Sequence, residues 1–293
     1  MSRSHSSTYS GITSSPESHL CSFSSPRKRG YIRAPRNGTR RNLVNISGNT
    51  VFIPGATSGI GLGLALRLRA KGNTVIVGGR RSELLEQIAA EHPGIGTVVI
   101  DATDPVSITA ARDDLAIRYP GLNTLITTAG IMELEDLRDP ASLDVAERTI
   151  AINLLGTIRL INAFLPGLLA QPSATVMTVS SGLAYVPLPA TPTYNATKAA
   201  VHSFTESLRV QLTGSNVQVI ELVPPATRTT LMNQQNSEVA MPLEDLLDEV
   251  IGLLEADPKA EQILVERVKW QRNAEAEGRY AEVLGALSGR YRS

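Results

Sequence analysis

The stretch that decides the fold of this chain is Val51-Phe52-Ile53-Pro54-Gly55-Ala56-Thr57-Ser58-Gly59-Ile60-Gly61. A short apolar run leads into a turn with three glycines, and residues 62–67 then follow a helical pattern. Glycines at such a turn let the backbone approach a pyrophosphate, and the N-terminus of the next helix offers free N–H groups and the positive end of its dipole. Glycines also serve ordinary tight turns, but this strand–turn–helix context predicts nucleotide binding. The expected contacts come from Gly55, Thr57, Ser58, Gly59, Ile60 and Gly61.

Beyond this turn, short apolar runs alternate with helical stretches. The runs are residues 50–53, 74–77, 96–100, 123–128, 175–179, 217–222 and 262–265, and the helices are 59–71, 82–91, 105–119, 143–170, 194–212 and 243–254. Strands separated by helices need crossover connections and therefore form a parallel sheet covered on both faces. We expect a single doubly wound α/β domain of the Rossmann type over residues 44–293, with a mostly parallel seven-stranded sheet, helices on both faces and a helical C-terminal tail.

Residues 1–43 have a different composition. They carry eight Lys or Arg and one acid, Glu17, and eleven serines fall within the first 25 residues. Such a basic Ser/Arg-rich segment buries too little apolar surface to offset its ordering entropy, so we expect a disordered extension. Its composition is also compatible with a mitochondrial targeting segment, which leaves that location open beside the cytoplasmic one that we favour. The body of the chain has an excess of acids, which argues against a nucleic-acid partner.

The remaining composition excludes several classes of site. No apolar run in the sequence has the length that a membrane span needs, so we expect no membrane partner. Cys21 is the single cysteine, which excludes an internal disulfide and a multi-cysteine zinc site. The four histidines are scattered without metal-ligand spacing, and we expect no metal.

The residues after the second predicted strand indicate which coenzyme is bound. A carboxylate at this place accepts a hydrogen bond from a ribose 2′-OH, whereas arginine accommodates a 2′-phosphate. Here the strand is followed by Arg80 and Arg81, with no acid. Cations are unfavourable at the start of a helix, so a role for Arg80 in binding NADP(H) rather than NAD(H) explains them better than solvation does. Asp101 and Ala102 follow the third strand near the expected adenine position, although Asp101 is equally suited to cap the next helix.

A second group of residues carries acid–base chemistry. Tyr194 and Lys198 are four residues apart and share one face of a predicted helix. A nearby ammonium favours the phenolate and lowers the pKa of a tyrosine, which then exchanges a proton with a carbonyl or alcohol oxygen. Ser181 follows a predicted strand, where its hydroxyl can hold the same oxygen.

In this order and context, these features resemble the short-chain dehydrogenase/reductase superfamily over about residues 44–290. The resemblance carries over to Asn153 and implies a catalytic tetrad of Asn153, Ser181, Tyr194 and Lys198. In that family the tyrosine is the general acid/base, the serine orients the substrate oxygen, the lysine lowers the tyrosine pKa and binds the nicotinamide ribose, and the asparagine anchors a water in a proton relay. Residues 63–66, 180–184, 221–226, 265–268 and the tail around 277–280 are most similar to the DltE-type branch of uncharacterised oxidoreductases.

The chain departs from the family pattern at two places. Pro54 stands where the family usually has a threonine whose hydroxyl ties the glycine turn to the fourth strand, and Thr127-Thr128-Ala129-Gly130 replaces Asn-Asn-Ala-Gly. Ala129 and Gly130 remain candidate coenzyme contacts. Because the two departures lie on surfaces expected to touch, they either compensate each other or loosen the coenzyme site. We hypothesise weaker coenzyme binding than in typical relatives, which Pro54→Thr should restore.

The residues expected to contact the substrate say less about function than those of the coenzyme site. The resemblance places Pro225 and Thr229 near the nicotinamide carboxamide, and residues 232–241 fit either a mobile lid or a solvated loop. Leu183, Tyr185, Val186, Pro187 and Leu188 suggest an apolar pocket wall, which favours an apolar carbonyl or alcohol substrate over an acidic one. In the family the helices at residues 143–170 and 194–212 form a subunit interface, which predicts a homodimer or homotetramer. The functional prediction is an NADP(H)-dependent oxidoreductase acting on CH–OH or C=O groups; the alternative is a non-catalytic NADP(H)-binding sensor on the same fold.

Overall fold

The computed structural model describes residues 46–292, with side chains as far as residue 289. The predicted extension at residues 1–43 and Cys21 lie outside the described residues. Seven parallel strands form one sheet in the order β3-β2-β1-β4-β5-β6-β7. They are β1 Thr50–Pro54, β2 Thr74–Gly79, β3 Ile95–Val99, β4 Leu122–Thr127, β5 Ala174–Val179, β6 Val217–Val223 and β7 Gln262–Leu264. All seven predicted strands are present, and the predicted doubly wound Rossmann-type fold is confirmed.

Helices cover both faces of the sheet. They are α1 Gly59–Ala70, α2 Ser82–Glu91, α3 Pro105–Arg118, α4 Ser142–Thr149, α5 Thr157–Ala170, α6 Pro192–Gln211, α7 Leu243–Ala256, α8 Lys269–Arg272 and α9 Tyr280–Arg292. Apolar side chains of α1, α2 and α7 pack on one face with Val51 and Ile53, whereas those of α3, α5 and α6 pack on the other with Phe52. Successive side chains of a strand point to opposite faces, so a strand buried on both sides needs the continuous apolar run that the sequence shows.

The strand order reverses next to β1. The chain runs outward from β1 through β2 to β3, then returns to place β4 on the other side of β1. The turns that leave the carboxyl ends of β1 and β4 therefore diverge and leave a crevice, which is where ligands bind in open α/β sheets. The glycine turn follows β1 and thus lies at this crevice.

The long predicted helix at residues 143–170 has an interruption that the sequence did not predict. Between α4 and α5, residues Ile150–Gly156 form a π-helical segment. The whole stretch Ser142–Ala170 is long and apolar enough by length and composition to cross a membrane, with 39% of its most apolar window buried. The expectation that no run has that length was therefore wrong. Leu160, Ile161 and Phe164 of this stretch pack against the sheet, as in the core helix of an α/β domain.

The C-terminal tail packs near the end of β5. Val186, Ala274 and Val283 are completely buried together in a small apolar cluster that Trp270 joins. This cluster connects the loop after β5 with α8 and α9, so that the tail closes one side of the crevice.

Candidate active site

The glycine turn has a backbone conformation that lets other atoms approach it closely. Gly55 has a φ of +85° and Gly59 a φ of +54°, a region that L-residues rarely adopt. A Cβ on Gly55 would overlap the backbone of Ala129. The side chain of Ser58, the N-cap residue of α1, makes no capping bond, and the first turn of α1 has no acid. An uncapped helix N-terminus next to a glycine cradle fits a pyrophosphate, and Ser58, Gly59, Ile60 and Gly61 line the cavity there.

The two departures from the family pattern contact each other. The hydroxyl of Thr128 donates a hydrogen bond of 2.9 Å to the carbonyl oxygen of Pro54, and the Thr128 backbone N–H donates to the same oxygen at 3.2 Å. Thr128 thus supplies the hydroxyl that a threonine at position 54 would have provided. Thr127 is buried and turned toward β5, where its hydroxyl meets the carbonyl of Met177 at 3.5 Å. Weaker coenzyme binding stays a prediction, while the tie between the glycine turn and β4 exists.

Arg80 and Arg81 lie at the start of α2, beyond the end of β2. Both are exposed, and neither side chain makes a hydrogen bond or ion pair to another residue within the described part of the chain. Burial opposes ionisation of Asp101, but hydrogen bonds from Thr103 and the charge of Arg80 outweigh it and hold the pKa of Asp101 below its usual value. Asp101 therefore stabilises a local turn, and Asp104 is the residue that caps α3, by accepting from the Val106 N–H at 2.9 Å.

Ala102 and Thr57 have packing roles at this end of the site. Ala102 is buried, and a Cβ on Gly156 would lie 3.1 Å from its side chain. The methyl of Thr57 covers Gly79, where a Cβ would overlap it. The expected adenosine end is surrounded by these two residues together with Arg80, Arg81 and Asp101. None of the five lines the central cavity.

Tyr194, Lys198 and Ser181 converge as predicted from their spacing. The first two are each 7% exposed and Ser181 is 8% exposed. The Lys198 Nζ lies 5.6 Å from the centre of the Tyr194 ring and donates a hydrogen bond of 2.8 Å to the carbonyl of Val179, at the end of β5. The Ser181 hydroxyl accepts from the Leu183 N–H at 3.1 Å. All three line one cavity.

Burial dominates the protonation of this group. It raises the pKa of Tyr194 to about 12, against the opposing effect of a hydrogen bond with Ser181. Burial also lowers the pKa of Lys198 to about 8. Both shifts favour the neutral forms. Desolvation is the dominant cause of the Tyr194 shift, and the expected lowering of the Tyr194 pKa by Lys198 stays a prediction.

Asn153 lies in the π-helical segment and is fully buried. Its side chain binds both backbone groups of Ile131, accepting from the N–H at 2.8 Å and donating to the carbonyl at 2.8 Å. Its own carbonyl accepts from the Thr157 hydroxyl at 2.8 Å. Asn153 thus fixes the segment after Gly130, and its side chain does not line the cavity.

The cavity has a volume of about 910 Å³ and joins the glycine turn to the Tyr194 group. Gly130, Pro225 and Thr229 line it, as the sequence predicts. Ala129 lies just outside it, packed on Gly55.

The loop after β6 borders this cavity. Its two ends are joined by backbone hydrogen bonds of 2.8 Å, from Arg228 to Met241 and from Met241 to Ala226. Met232 and Asn233 have φ values of 55° and 53° within it, a strained conformation of the kind that concentrates at functional sites. Residues of this segment line the cavity, so both interpretations, a mobile lid and a solvated loop, stay predictions.

Two of the five residues predicted to form an apolar pocket wall line the cavity. Leu183 and Leu188 line the cavity, but Val186 packs into the tail cluster and Tyr185 turns away to bind buried polar groups. Sequence reasoning missed the residues that the C-terminal segment adds: Arg267, Trp270, Gln271 and Leu287. Their proximity depends on how the tail folds back, and the only sequence signal was the similarity of residues 265–268 to the DltE-type branch. Within residues 46–292, no group of three or more metal-binding side chains is arranged to hold a metal ion.

Comparisons with known proteins identify the family. Residues 49–240 match the short chain dehydrogenase family. The uncharacterized oxidoreductase DltE of Bacillus subtilis is 39% identical over 196 residues, which are 67% of this chain and 77% of that protein. Sulfoacetaldehyde reductase 2 of Chromohalobacter salexigens is 30% identical over 219 residues, which are 73% of this chain and 86% of that protein.

A solved structure shows the same fold. The short chain dehydrogenase of Burkholderia cenocepacia in complex with NADP has a TM-score of 0.71 and 24% identity, and the match covers 82% of this chain and 98% of that one. With the family match and the likeness to DltE, these findings establish that the chain belongs to the short-chain dehydrogenase/reductase family of oxidoreductases, close to the DltE branch.

Proposed function

We propose that this chain is an NADP(H)-dependent oxidoreductase that interconverts a carbonyl group and an alcohol, with Tyr194 as the general acid/base. The observation that carries the proposal is the convergence of Tyr194, Lys198 and Ser181 in one cavity that continues to the glycine turn. The nicotinamide supplies or accepts the hydride when it is bound. The reductase name of the Chromohalobacter relative supports the reaction class.

The proton chemistry follows from burial. With a pKa raised to about 12, the Tyr194 hydroxyl is protonated at neutral pH and donates its proton to a carbonyl oxygen. Ser181 lies beside it and orients that oxygen. In the opposite direction the phenolate must form, and the ammonium form of Lys198, whose Nζ is held in place by the Val179 carbonyl, stabilises that charge. These assignments make Ser181, Tyr194 and Lys198 the catalytic residues, while Asn153 positions the segment after Gly130.

The coenzyme preference rests on Arg80. This guanidinium is exposed beside the end of β2 and makes no hydrogen bond or ion pair in the described part of the chain, although its charge acts on Asp101, so it is available to a 2′-phosphate. The NADP found in the Burkholderia structure is compatible with this preference.

The test is Tyr194→Phe, assayed for NADPH-dependent reduction of aliphatic aldehydes and for NADPH binding. Removing the phenol should lower turnover by about 10²–10⁴-fold with little change in the dissociation constant of NADPH. Tyr280→Phe, in α9 and outside the cavity, is the matched control and should leave both unchanged. Retained turnover in Tyr194→Phe would refute the assignment. A wild-type protein that binds NADPH without turning over any carbonyl would support the sensor alternative instead.

A further inference from the structure

Gln271 is a buried amide without a partner. It is 8% exposed, lies on α8 and lines the cavity, yet its side chain makes no hydrogen bond to any residue in the described part of the chain. Among the described residues, the fully enclosed side-chain atoms without a partner are Thr149 Oγ1 and Gln218 Oε1, so the Gln271 amide is open to the cavity. Since this amide faces a cavity, a bound molecule is the partner that the fold leaves room for.

The amide lies close to the reacting group. A Cβ on Gly182, the residue after Ser181, would lie 2.5 Å from the Gln271 Oε1. The neighbouring Arg272 fixes α8 in place, because its guanidinium stacks 4.6 Å from the centre of the Tyr185 ring and donates to the Gln262 Oε1 at 3.2 Å. Gln271 therefore occupies a fixed position beside the serine that would hold the substrate oxygen.

Arg267 adds a charge to the same part of the cavity. It lines the cavity, is exposed, and its side chain makes no ion pair or hydrogen bond within residues 46–292, although the adjacent Glu266 pairs with Lys269 at 2.5 Å. Among the described residues that line the cavity, Lys198 and Arg267 are the charged ones, and no carboxylate is present. An exposed, unpaired guanidinium on a cavity without acids attracts an anion, and its planar fork matches a carboxylate or a phosphate.

The surface around these two residues is apolar. Leu183, Leu188 and Trp270 line the cavity and belong to the tail cluster. A molecule that reaches from Tyr194 to Arg267 therefore needs an apolar body and an anionic end.

We propose that Arg267 and Gln271 bind the carboxylate of the substrate, which makes the substrate class oxo- or hydroxycarboxylates with an apolar chain. The inference rests on the proposed function for the reacting end, but the carboxylate site is defined by α8 and the preceding turn. It keeps the apolar body expected from residues 183–188 but departs from the expectation that the substrate is not acidic.

Binding tests the site independently of turnover. Calorimetry on the full chain, with and without saturating NADPH, compares octanoate with octanol. Octanoate should bind the wild type at least about tenfold more tightly than octanol, as expected for hydrogen bonds to a charged group. Arg267→Met and Gln271→Glu should each remove that preference, the second because it places a carboxylate against a carboxylate. Lys269→Met, which removes a neighbouring cation outside the cavity, should keep it.

Turnover separates this inference from the proposed function. An ω-oxo-octanoate and its methyl ester are compared as substrates: Arg267→Met should raise KM for the acid about tenfold or more, with kcat and the ester kinetics nearly unchanged. Equal binding of octanoate and octanol by the wild type, or equal losses for acid and ester in Arg267→Met, would overturn the carboxylate site while leaving carbonyl reduction intact. The opposite outcome is also distinguishable. If the wild type prefers octanoate, Arg267→Met loses that preference and no aldehyde is reduced, the carboxylate site stands and the proposed function is overturned.

Discussion

At the scale of single residues, burial decides the protonation states in the active site. Tyr194 and Lys198 are both more than nine-tenths buried, and each has its pKa shifted toward the neutral form. Spacing alone predicts that the two side chains meet, but it does not predict how much water the fold removes around them. Desolvation of the charged form is the dominant cause of both shifts. The pair is therefore suited to giving a proton to a substrate oxygen at neutral pH.

Arg80 is the residue that should decide coenzyme choice. Arg80→Ser should raise the dissociation constant of NADPH at least about tenfold, since a charge-assisted bond to the 2′-phosphate is lost, and should leave that of NADH unchanged. A fluorescence titration with each coenzyme measures both constants.

Arg81→Ser serves as the matched control for this experiment, because Arg81 is the exposed neighbour at the N-cap position of α2. A smaller effect there would show that position and not general charge matters. If Arg80→Ser weakened NADH and NADPH equally, Arg80 would not be a phosphate ligand.

At the scale of secondary structure, α6 carries more than its catalytic pair. Tyr194, Lys198 and His202 repeat every four residues, which places all three on one face of the helix. His202 Nδ1 lies 2.8 Å from Glu221 Oε2, and Glu221 is fully buried in β6. Ser180, next to Ser181, donates to the same carboxylate. This network ties α6, β6 and the loop after β5 together directly behind the site.

In this network, Glu221 and His202 each stabilise the charged form of the other. The Glu221 carboxylate raises the pKa of His202, with Glu206 adding to the effect and burial and Arg272 opposing it. Burial opposes ionisation of Glu221, but hydrogen bonds from His202, Ser180 and Gln262 outweigh it and keep its pKa below the usual value. Tyr185, whose pKa is raised by burial and by Glu221, stays neutral beside them.

These shifts predict a pH-dependent stability. The contribution of protonated His202 is complete below its ordinary pKa of 6.5 and is lost as the pH rises through the raised folded value. The ionised Glu221 carboxylate contributes to stability above its ordinary pKa of 4.5, and therefore throughout the pH range in which His202 titrates. His202→Gln should lower the free energy of unfolding by about 1 kcal/mol more at pH 6 than at pH 8.5. Urea unfolding at the two pH values measures this difference.

Glu206→Gln is the control, since Glu206 is an exposed partner of His202 on the same helix at 3.7 Å. It should have little effect at either pH because exposed ion pairs contribute little. An equal loss of stability at both pH values in His202→Gln would mean that His202 acts by packing alone.

At the scale of the whole molecule, the stretch formed by α4, the π-helical segment and α5 has a second apolar side. Ile150, Leu155 and Leu169 are about 40% exposed, although their neighbours on the same stretch fill the core. An exposed apolar surface of this kind marks an interaction site more often than chance. We propose that a second copy of the chain covers it, in a homodimer or a homotetramer.

Oligomeric state tests this proposal. The double variant Leu155→Arg/Leu169→Arg should shift the mass measured by light scattering to that of a smaller assembly, because charges would be buried against an apolar surface. Val99→Arg is the control, since Val99 is 55% exposed on β3 at the edge of the sheet. A monomeric wild type, or an unchanged mass for the double variant, would contradict the proposal.

The sequence by itself determined the order of strands and helices, the glycine turn and the meeting of Tyr194 with Lys198. Each of these follows from local rules: apolar periodicity, the conformational freedom of glycine and the geometry of one helical turn. The similarity to a known family then located Ser181 and Asn153. Such features could be predicted because each depends on residues that are near one another in the chain.

Only the tertiary structure decided the contacts between distant segments. The Asn153 amide in the π-helical segment reaches the Ile131 backbone, and the Thr128 hydroxyl takes over the tie at Pro54. Gln271 and Arg267 line the cavity because the C-terminal segment packs against the loop after β5. The direction of the Tyr194 and Lys198 pKa shifts depends on the same packing. Burial and long-range contacts are properties of the whole arrangement, so no local pattern in the sequence encodes them.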